Sequence, residues 1–189
     1  DVTAAPVHAR ARAGLAMTHQ IVRPFRAMTL VENVTLAAGH AVTARPWRAL
    51  MRRDRGDAPK RARALLARFG IADAADKPAA TVPLGVLKRL EMARALALDP
   101  ALLLLDEPLA GLNAGEAAEI ADVVAGLVRD GLTVLLVEHN LGQVVRIATR
   151  LTVLDQGRVL AEGAPDAVMA RPDVRAAYLG AEADGARDR

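Results

Sequence analysis

Two short apolar runs, separated by a segment that is predicted to be helical, constrain the fold of this 189-residue chain more than any other feature. Residues 101–105 and 133–137 are almost entirely apolar, which is typical of strands buried on both faces of a sheet. Residues 114–130 lie between them and are followed by Gly131, a common helix terminator. A strand–helix–strand unit of this kind predicts parallel strands and hence an α/β fold.

The composition excludes several classes of protein. The chain has no cysteine, which removes disulfide scaffolds, zinc ribbons and thiol catalysis. Apolar residues make up 52% of it, well above the content of a disordered chain. No apolar run approaches the roughly 18 residues that a membrane-spanning helix needs. The formal net charge of +3 accompanies a strong arginine bias, which gives little support to nucleic-acid binding.

Periodicity and turn residues predict the remaining elements. Thr29 and Glu32 have the spacing of a capping box at the start of a helix. Residues 1–20 are mixed and 71–84 are loop-like, and the last ten residues form a polar tail. The predicted helices cover residues 29–38, 57–69, 86–98, 141–148 and 165–179, and residues 150–155 and 158–162 form a hairpin around Gln156-Gly157.

The first apolar run ends in two adjacent carboxylates, Asp106 and Glu107, followed by Pro108. Ligands of open parallel sheets bind beyond the carboxyl ends of the strands, so these side chains are candidates for a site. One carboxylate there can hold Mg²⁺ through water, and the other can polarise a water molecule for attack on phosphate. A strand that ends in a solvated acidic turn is the alternative interpretation.

Other candidate residues lie around this pair. His139 follows the second apolar run, at the same predicted edge of the sheet as Asp106; an ordinary surface histidine is the alternative. Gly85 directly precedes a predicted helix, and a helix N-terminus attracts anions, although any loop-to-helix junction shares this property. Gly111 and Asn113 lie in the loop before residue 114, and Gln20 is uninformative in isolation.

In this order, the residues resemble the nucleotide-binding cassette of ABC transporters over nearly the whole chain. By that resemblance Gln20 is the Q-loop glutamine, Gly85 the signature glycine and His139 the switch histidine. Asp106 and Glu107 are the Walker B pair, and residues 109–113 are the D-loop. The resemblance implies catalytic roles for Glu107, His139 and Gln20, nucleotide-binding roles for Pro83, Leu84, Gly85, Val86, Asp106, Gly111 and Asn113, and metal ligation by Asp106 and Gln20.

Three phrases narrow the resemblance to importers of branched-chain amino acids. They are Gln-Ile-Val-Arg-Pro-Phe at 20–25, the stretch at 88–97 and Ala-Tyr-Leu-Gly at 177–180. The resemblance implies a subunit that binds and hydrolyses ATP with Mg²⁺ and forms a head-to-tail homodimer or heterodimer with a second cassette. It also implies attachment to transmembrane permease subunits at the cytoplasmic face of the inner membrane, with membrane contact through the permease and without nucleic acid.

The implied fold is a partial P-loop NTPase-type parallel sheet core with an inserted α-helical subdomain. Its expected divisions are the start of the core at 1–20, the helical subdomain at 21–98, the α/β core at 99–180 and the tail at 181–189. The basic stretch at 45–68 falls in the helical subdomain. A solvated arginine-rich helix face is its favoured interpretation, and contact with lipid head groups is the alternative.

The chain departs from the family pattern in three ways. Neither Lys60, Lys77 nor Lys88 follows a glycine, so the phosphate-binding motif GxxxxGK[ST] is absent, and the sequence is expected to begin just before the Q-loop. The signature LSGGQ is replaced by residues 82–86, where Pro83 and Val86 stand at the serine and glutamine positions. Asn113 stands where many members have aspartate. The substitutions at the signature put contacts to nucleotide in doubt.

Three alternatives to a transporter ATPase stay open at this point. A truncated cassette without ATP turnover would act as a docking module for a permease or a dimer partner. A DNA-associated ATPase shares the signature and Walker B, but it normally places a long coiled coil between Gln20 and Gly85, and this chain has no sustained heptads there. A soluble translation factor of this family would normally have two cassettes, and one is seen.

Overall fold

A computed structural model describes residues 1–19, 22–39 and 57–185, and the side chains of 179–185 are not among the described groups. Gln20 and the first part of the basic stretch, residues 45–56, therefore lie outside the described residues. The chain forms two compact units, Asp1–His139 and Asn140–Arg189. The predicted divisions at residues 20, 98 and 180 stay predictions.

The first unit contains a parallel sheet and five α-helices among its described residues. Two short 3₁₀ helices, Ala72–Ala74 and Ala79–Thr81, lie in the segment expected to be loop-like. The elements are α1 (Val7–Arg12), β1 (Leu15–Met17), α2 (Leu30–Ala38), α3 (Asp57–Arg68), α4 (Leu84–Leu96), β2 (Leu102–Asp106), α5 (Ala114–Arg129) and β3 (Thr133–Val137).

The sheet has the order β1-β2-β3, and both strand pairs are parallel. The strand–helix–strand prediction is thereby confirmed. Leu104 pairs with Met17 on one side and with Leu135 on the other. The sequence did not predict β1, because three residues are too few to show an alternating pattern. As a result β2, at the centre of this sheet, has a partner strand on each side.

The two faces of the sheet differ in exposure, which corrects the prediction that both apolar runs are buried on both faces. Leu103 and Leu105 on β2 are buried, at 0% and 1% exposure. Their neighbours along the strands point to the opposite face, where Leu135 and Val137 are 56% and 55% exposed. Apolar composition alone does not distinguish a strand buried on one face from a strand buried on both.

Helices α2, α3 and α4 pack against one another beside this sheet. Their contact is apolar: Leu30, Val34, Leu66, Phe69 and Leu90 are fully buried. Helix α2 begins with the predicted capping box, in which the Thr29 hydroxyl accepts from Glu32 N and the Glu32 carboxylate accepts from Thr29 N. The predicted α2 and α3 are confirmed within one residue at each end.

Helix α4 begins two residues before its predicted start and ends two residues before its predicted end. Pro83 is its N-cap residue, so Gly85 lies inside the first turn rather than in front of the helix. Proline suits the start of a helix because its φ is already close to the helical value and because N–H groups there lack intrahelical partners. The sequence analysis placed the start of this helix at residue 86, directly after Gly85, whereas the helix begins directly after Pro83.

The arginines of α3 are only partly exposed, and each has an acidic partner within the first unit. Arg63 bonds to Asp76 at 2.6 Å, Arg61 bonds to Asp99 and Arg68 bonds to Asp130. The three aspartates lie just after the first 3₁₀ helix, just after α4 and just after α5. The ion pairs therefore connect α3 to three different segments of the first unit. The described part of the basic stretch is therefore a helix face with ion pairs, not bare positive charge.

The second unit consists of α6 (Leu141–Ile147), the antiparallel strands β4 (Leu151–Asp155) and β5 (Arg158–Gly163), α7 (Pro165–Met169) and α8 (Pro172–Gly185). The predicted hairpin is confirmed, and Gln156 and Gly157 both have positive φ, as its two-residue turn requires. The predicted single helix over 165–179 is wrong: it is interrupted before Pro172, because the residue before a proline avoids helical angles. Helix α8 also continues into the predicted polar tail.

Candidate functional site

The carboxyl end of β2 carries the two adjacent acids. Asp106 is the last residue of the strand and pairs in register with Val137. Glu107 has φ 44°, a left-handed conformation that non-glycine residues rarely adopt, while its N–H donates to Val137 O at 2.9 Å. Strained backbone of this kind is found disproportionately at functional sites. Consecutive acids therefore have different backbone conformations: one is in the strand and the other is in the turn that ends it.

The structure brings His139 to the same edge. Its Nδ1 lies 4.0 Å from Glu107 Oε1 and 3.9 Å from Glu138 Oε2, and its side chain is 72% exposed. The prediction that the histidine after the second apolar run lies beside the acidic pair agrees with this geometry. The arrangement places an exposed imidazole and a partly exposed carboxylate on one edge, where both are accessible to a ligand.

Two charged residues that the sequence did not single out support this edge from beneath. Lys88 of α4 is buried, and its Nζ donates to Glu107 O at 2.9 Å. Burial lowers the pKa of Lys88, while the negative charges of Glu138, Glu107 and Asp106 act in the opposite direction. The Glu138 side chain is fully buried. The sequence did contain a hint of the importance of Glu138, since it lies directly between an apolar strand and a candidate histidine.

The predicted signature residues pack against the loop before α5 in the same chain. Gly85 is buried, and a Cβ atom added there would lie 2.9 Å from Glu116 Oε1. Gly111 has φ +76°, and a Cβ atom there would lie 3.2 Å from Leu84 Cδ2. Glycine at both positions therefore permits the close approach of the two segments. Val86 N and Leu87 N both donate to Pro83 O, so the first turn already uses these donors internally.

Asn113 has a structural role that the sequence did not assign to it. It is the N-cap residue of α5, its side chain accepts from Glu116 N at 2.9 Å, and Glu116 Oε2 accepts from Asn113 N at 3.1 Å. The side-chain oxygen of Asn113 is therefore engaged in this capping box. The role that resemblance implies for Asn113 stays a prediction beside this observed one.

The donor set at the edge suits one kind of metal ion. Within the described ranges no group of three or more histidine or acidic side chains could hold a metal by itself. Mg²⁺ is commonly bound through one or two carboxylates together with substrate phosphates and water. Asp106 at the end of β2 could therefore supply one carboxylate ligand to a Mg²⁺ ion whose other ligands are phosphate and water. Gln20, the second predicted ligand, lies outside the described residues.

Known proteins similar to this chain show which family it belongs to. Residues 1–110 match the sequence profile of the family described as ABC transporter. The chain belongs to the ABC transporter family. Residues 158–184, in the second unit, match the profile described as branched-chain amino acid ATP-binding cassette transporter.

Curated relatives of the ABC family align over most of the chain. The high-affinity branched-chain amino acid transport ATP-binding protein LivG of Escherichia coli is 38% identical over 176 residues, which are 90% of this chain and 69% of that protein. The corresponding protein BraF of Pseudomonas aeruginosa is 36% identical over 186 residues, which are 95% of this chain and 73% of that protein. The family resemblance drawn from the sequence motifs is therefore confirmed.

Solved ABC cassettes share the fold. The ADP conformation of MJ1267, an ATP-binding cassette of an ABC transporter, is 26% identical, has a TM-score of 0.74 and covers 91% of this chain and 70% of its own. The cassette cbiO1 of Clostridium perfringens, part of the complex cbiONQ, has a TM-score of 0.73 at 26% identity and covers 88% of this chain and 63% of its own. The predicted α/β class with a parallel sheet is confirmed. None of the helices in the described ranges is long and apolar enough to cross a membrane.

Proposed function

We propose that this chain carries the hydrolytic residues of an ATP-binding subunit that powers the uptake of branched-chain amino acids through a membrane permease. The observation that carries the proposal is the meeting of Glu107 and His139, with 4.0 Å between Oε1 and Nδ1, at the end of the strand that Asp106 completes. Membership of the ABC family supplies the reaction class. The match of residues 158–184 and the names of the relatives support the transported solute.

Each residue at the edge has a role that its position supports. Glu107 lies in the turn, one residue beyond the strand, where its carboxylate accepts a proton from the attacking water. His139 is exposed beside it, where it would donate a hydrogen bond to the terminal phosphate. Asp106 would hold Mg²⁺ through water, and that ion would neutralise phosphate charge. Gln20 would complete the metal and water contacts.

The remaining predicted residues would act from a second cassette. In a head-to-tail dimer, the start of α4, residues Pro83–Val86, would face the nucleotide of the partner together with Gly111 and Asn113. Proline at 83 brings no N–H, so this contact would rest on backbone donors rather than on a hydroxyl. The assembled subunit would lie at the cytoplasmic face of the membrane, bound to permease subunits.

A docking module without ATP turnover is the second candidate function. It concerns residues 1–189 taken alone, which contain no GxxxxGK[ST] motif. That loop supplies several charge-assisted hydrogen bonds to phosphate, each worth about 1.5–3 kcal/mol. Without them, residues 1–189 alone have little with which to hold ATP.

The two functions are distinguished by a hybrid cassette, in which residues 1–189 are joined to the N-terminal segment of the Escherichia coli relative that precedes the aligned region. We expect phosphate release from ATP by the hybrid, and none by residues 1–189 alone above the level of its Glu107→Gln variant. A folded hybrid that binds ATP without turnover would favour the docking module. Reconstitution of the hybrid with the permease of that relative then tests leucine uptake, with lysine as the control solute.

A further inference from the structure

A buried carboxylate joins the two loops that leave the sheet at the candidate site. The Glu138 side chain is 0% exposed. Its Oε1 accepts from Leu109 N at 2.7 Å, and its Oε2 accepts from His139 N at 3.2 Å. One carboxylate thus bonds to the backbone of the loop after β2 and to the backbone of the loop after β3. Hydrogen bonds to an ionised acceptor are about twice as strong as neutral ones.

These two bonds lie where the sheet itself no longer holds the loops together. The ladder between β2 and β3 ends with the pair Asp106–Val137 and with the bond from Glu107 N to Val137 O. Leu109 is two residues beyond Glu107, and His139 is two residues beyond Val137. Glu138 therefore continues the connection between the two strands by side chain, at the level of the reactive residues.

A buried positive charge from a third element bonds to the backbone of the loop after β2. Lys88 of α4 is buried, and its Nζ donates to the backbone oxygen of Glu107 at 2.9 Å. The negative charge of Glu138 is the largest of the charges that favour the protonated form of Lys88. A buried carboxylate is costly unless it is hydrogen-bonded, and here two backbone N–H groups donate to it. Lys88 thereby connects the start of α4 to the loop after β2, and Glu138 connects that loop to the loop after β3.

We propose that Glu138 is a positioning residue, which fixes Glu107 and His139 relative to each other by holding the backbone of both loops. The roles of Glu107 and His139 rest on the proposed function, whereas the bridge itself does not. Misplacement of reacting groups by about 1 Å can reduce turnover about 100-fold, so a fixed spacing between the two loops has a catalytic value.

The bridge is tested by amide hydrogen exchange in residues 1–189, measured by NMR in the native chain and in Glu138→Gln. Glutamine has the same shape but one acceptor oxygen and no charge. We expect the amides of Leu109 and His139 both to exchange about tenfold faster or more, while the β2–β3 ladder keeps its protection.

Glu119→Gln is the matched control, since Glu119 pairs with Arg89 of α4 at the surface, and it should change neither amide. Protection of both amides in Glu138→Gln would overturn the bridge.

A double variant separates positioning from folding. If Glu138→Gln alone loses the ladder, adding Lys88→Met removes the buried positive charge that the carboxylate of Glu138 had favoured, and it should restore the ladder. The amides of Leu109 and His139 should still exchange rapidly in the double variant, and their return to native protection would overturn the proposal.

Kinetics of the hybrid cassette test the catalytic consequence. We expect Glu138→Gln to lower kcat at least about tenfold with an unchanged KM for ATP, because the Glu138 side chain is fully buried and not accessible to a ligand. A merely structural role would reduce the active fraction, which titration of bound nucleotide measures, and would leave kcat per active site unchanged; that outcome would overturn the positioning role. An inactive native hybrid would instead count against the proposed function, and amide exchange would still decide the bridge.

Discussion

Asp106 and Glu107 are neighbours in sequence but differ in backbone environment. Asp106 is the last residue of β2 and pairs in register with Val137 of β3, whereas Glu107 has a left-handed φ of 44° just outside the strand. Such a turn changes the chain direction abruptly, so two consecutive carboxylates can serve different atoms of one ligand. This is the residue-level basis for assigning the metal to the first acid and the attacking water to the second.

Paired substitutions in the hybrid cassette test this assignment. We expect Glu107→Gln to bind ATP normally and to lose about 10²–10⁴ in turnover, because it removes the proton acceptor alone. Asp106→Asn should weaken Mg²⁺-dependent ATP binding. ATP titration and phosphate release, measured on both variants, decide the matter. Loss of binding in Glu107→Gln with loss of turnover alone in Asp106→Asn would mean that the roles are reversed.

Substitution of two helical glycines by alanine separates the effect of a close contact from the effect of helix propensity. A Cβ atom at Gly85 would lie 2.9 Å from Glu116 Oε1, and Glu116 is held in the capping box of α5. At Gly126 the nearest atom, on the Arg129 side chain, is 3.7 Å away. We expect Gly126→Ala to raise the free energy of unfolding by about 0.5–1 kcal/mol, and Gly85→Ala to lower it despite the same gain in propensity. Urea unfolding measures both, and a stabilising Gly85→Ala would contradict the packing of α4 against α5.

At the scale of elements, the start of α2 could be predicted from capping chemistry. The box formed by Thr29 and Glu32 was readable because both partners are close in sequence, and the structure has it at the start of α2. Hydrogen bonds from the Thr29 backbone and side chain lower the pKa of Glu32 below its ordinary value of 4.5. The charged carboxylate is therefore the form that stabilises the helix.

The capping box predicts a pH-dependent effect on stability. Thr29→Ala should lower the free energy of unfolding by about 1 kcal/mol at neutral pH. Because the pKa of Glu32 is lowered on folding, its contribution is complete above pH 4.5 and disappears as the pH falls through the lowered pKa. The difference in stability between the native chain and Glu32→Gln should therefore shrink on acidification below pH 4.5. A difference that stays constant from pH 7 to pH 3 would contradict the box.

At the scale of the whole molecule, the sheet of the first unit has one buried face and one partly exposed apolar face. Leu103 is fully buried, whereas Leu135, on the opposite face of the neighbouring strand, is 56% exposed. Exposed apolar surface of this kind favours association between molecules. The burial predicted for both runs fails here because alternate residues of a strand point to opposite faces, whatever their composition.

Substitutions on the two faces should therefore have opposite consequences in residues 1–189. Leu103→Ala should lower the free energy of unfolding by about 2–5 kcal/mol, as expected for a buried leucine. Leu135→Lys should change stability little and reduce aggregation, measured by light scattering at a fixed protein concentration. Equal destabilisation by the two substitutions would show that both faces are covered in solution.

The sequence by itself determined those features in which neighbouring residues carry the information. The apolar runs, the capping box of α2, the Gln156-Gly157 turn and the order of the family motifs are all local, and the parallel α/β class followed from them. Tertiary structure alone decided which face of each strand is buried and that residues 15–17 join the sheet. It also decided that Lys88 and Glu138 lie beneath Glu107, because the charges that meet there come from segments about 20–50 residues apart, and only the packing of α4 against the sheet brings them together.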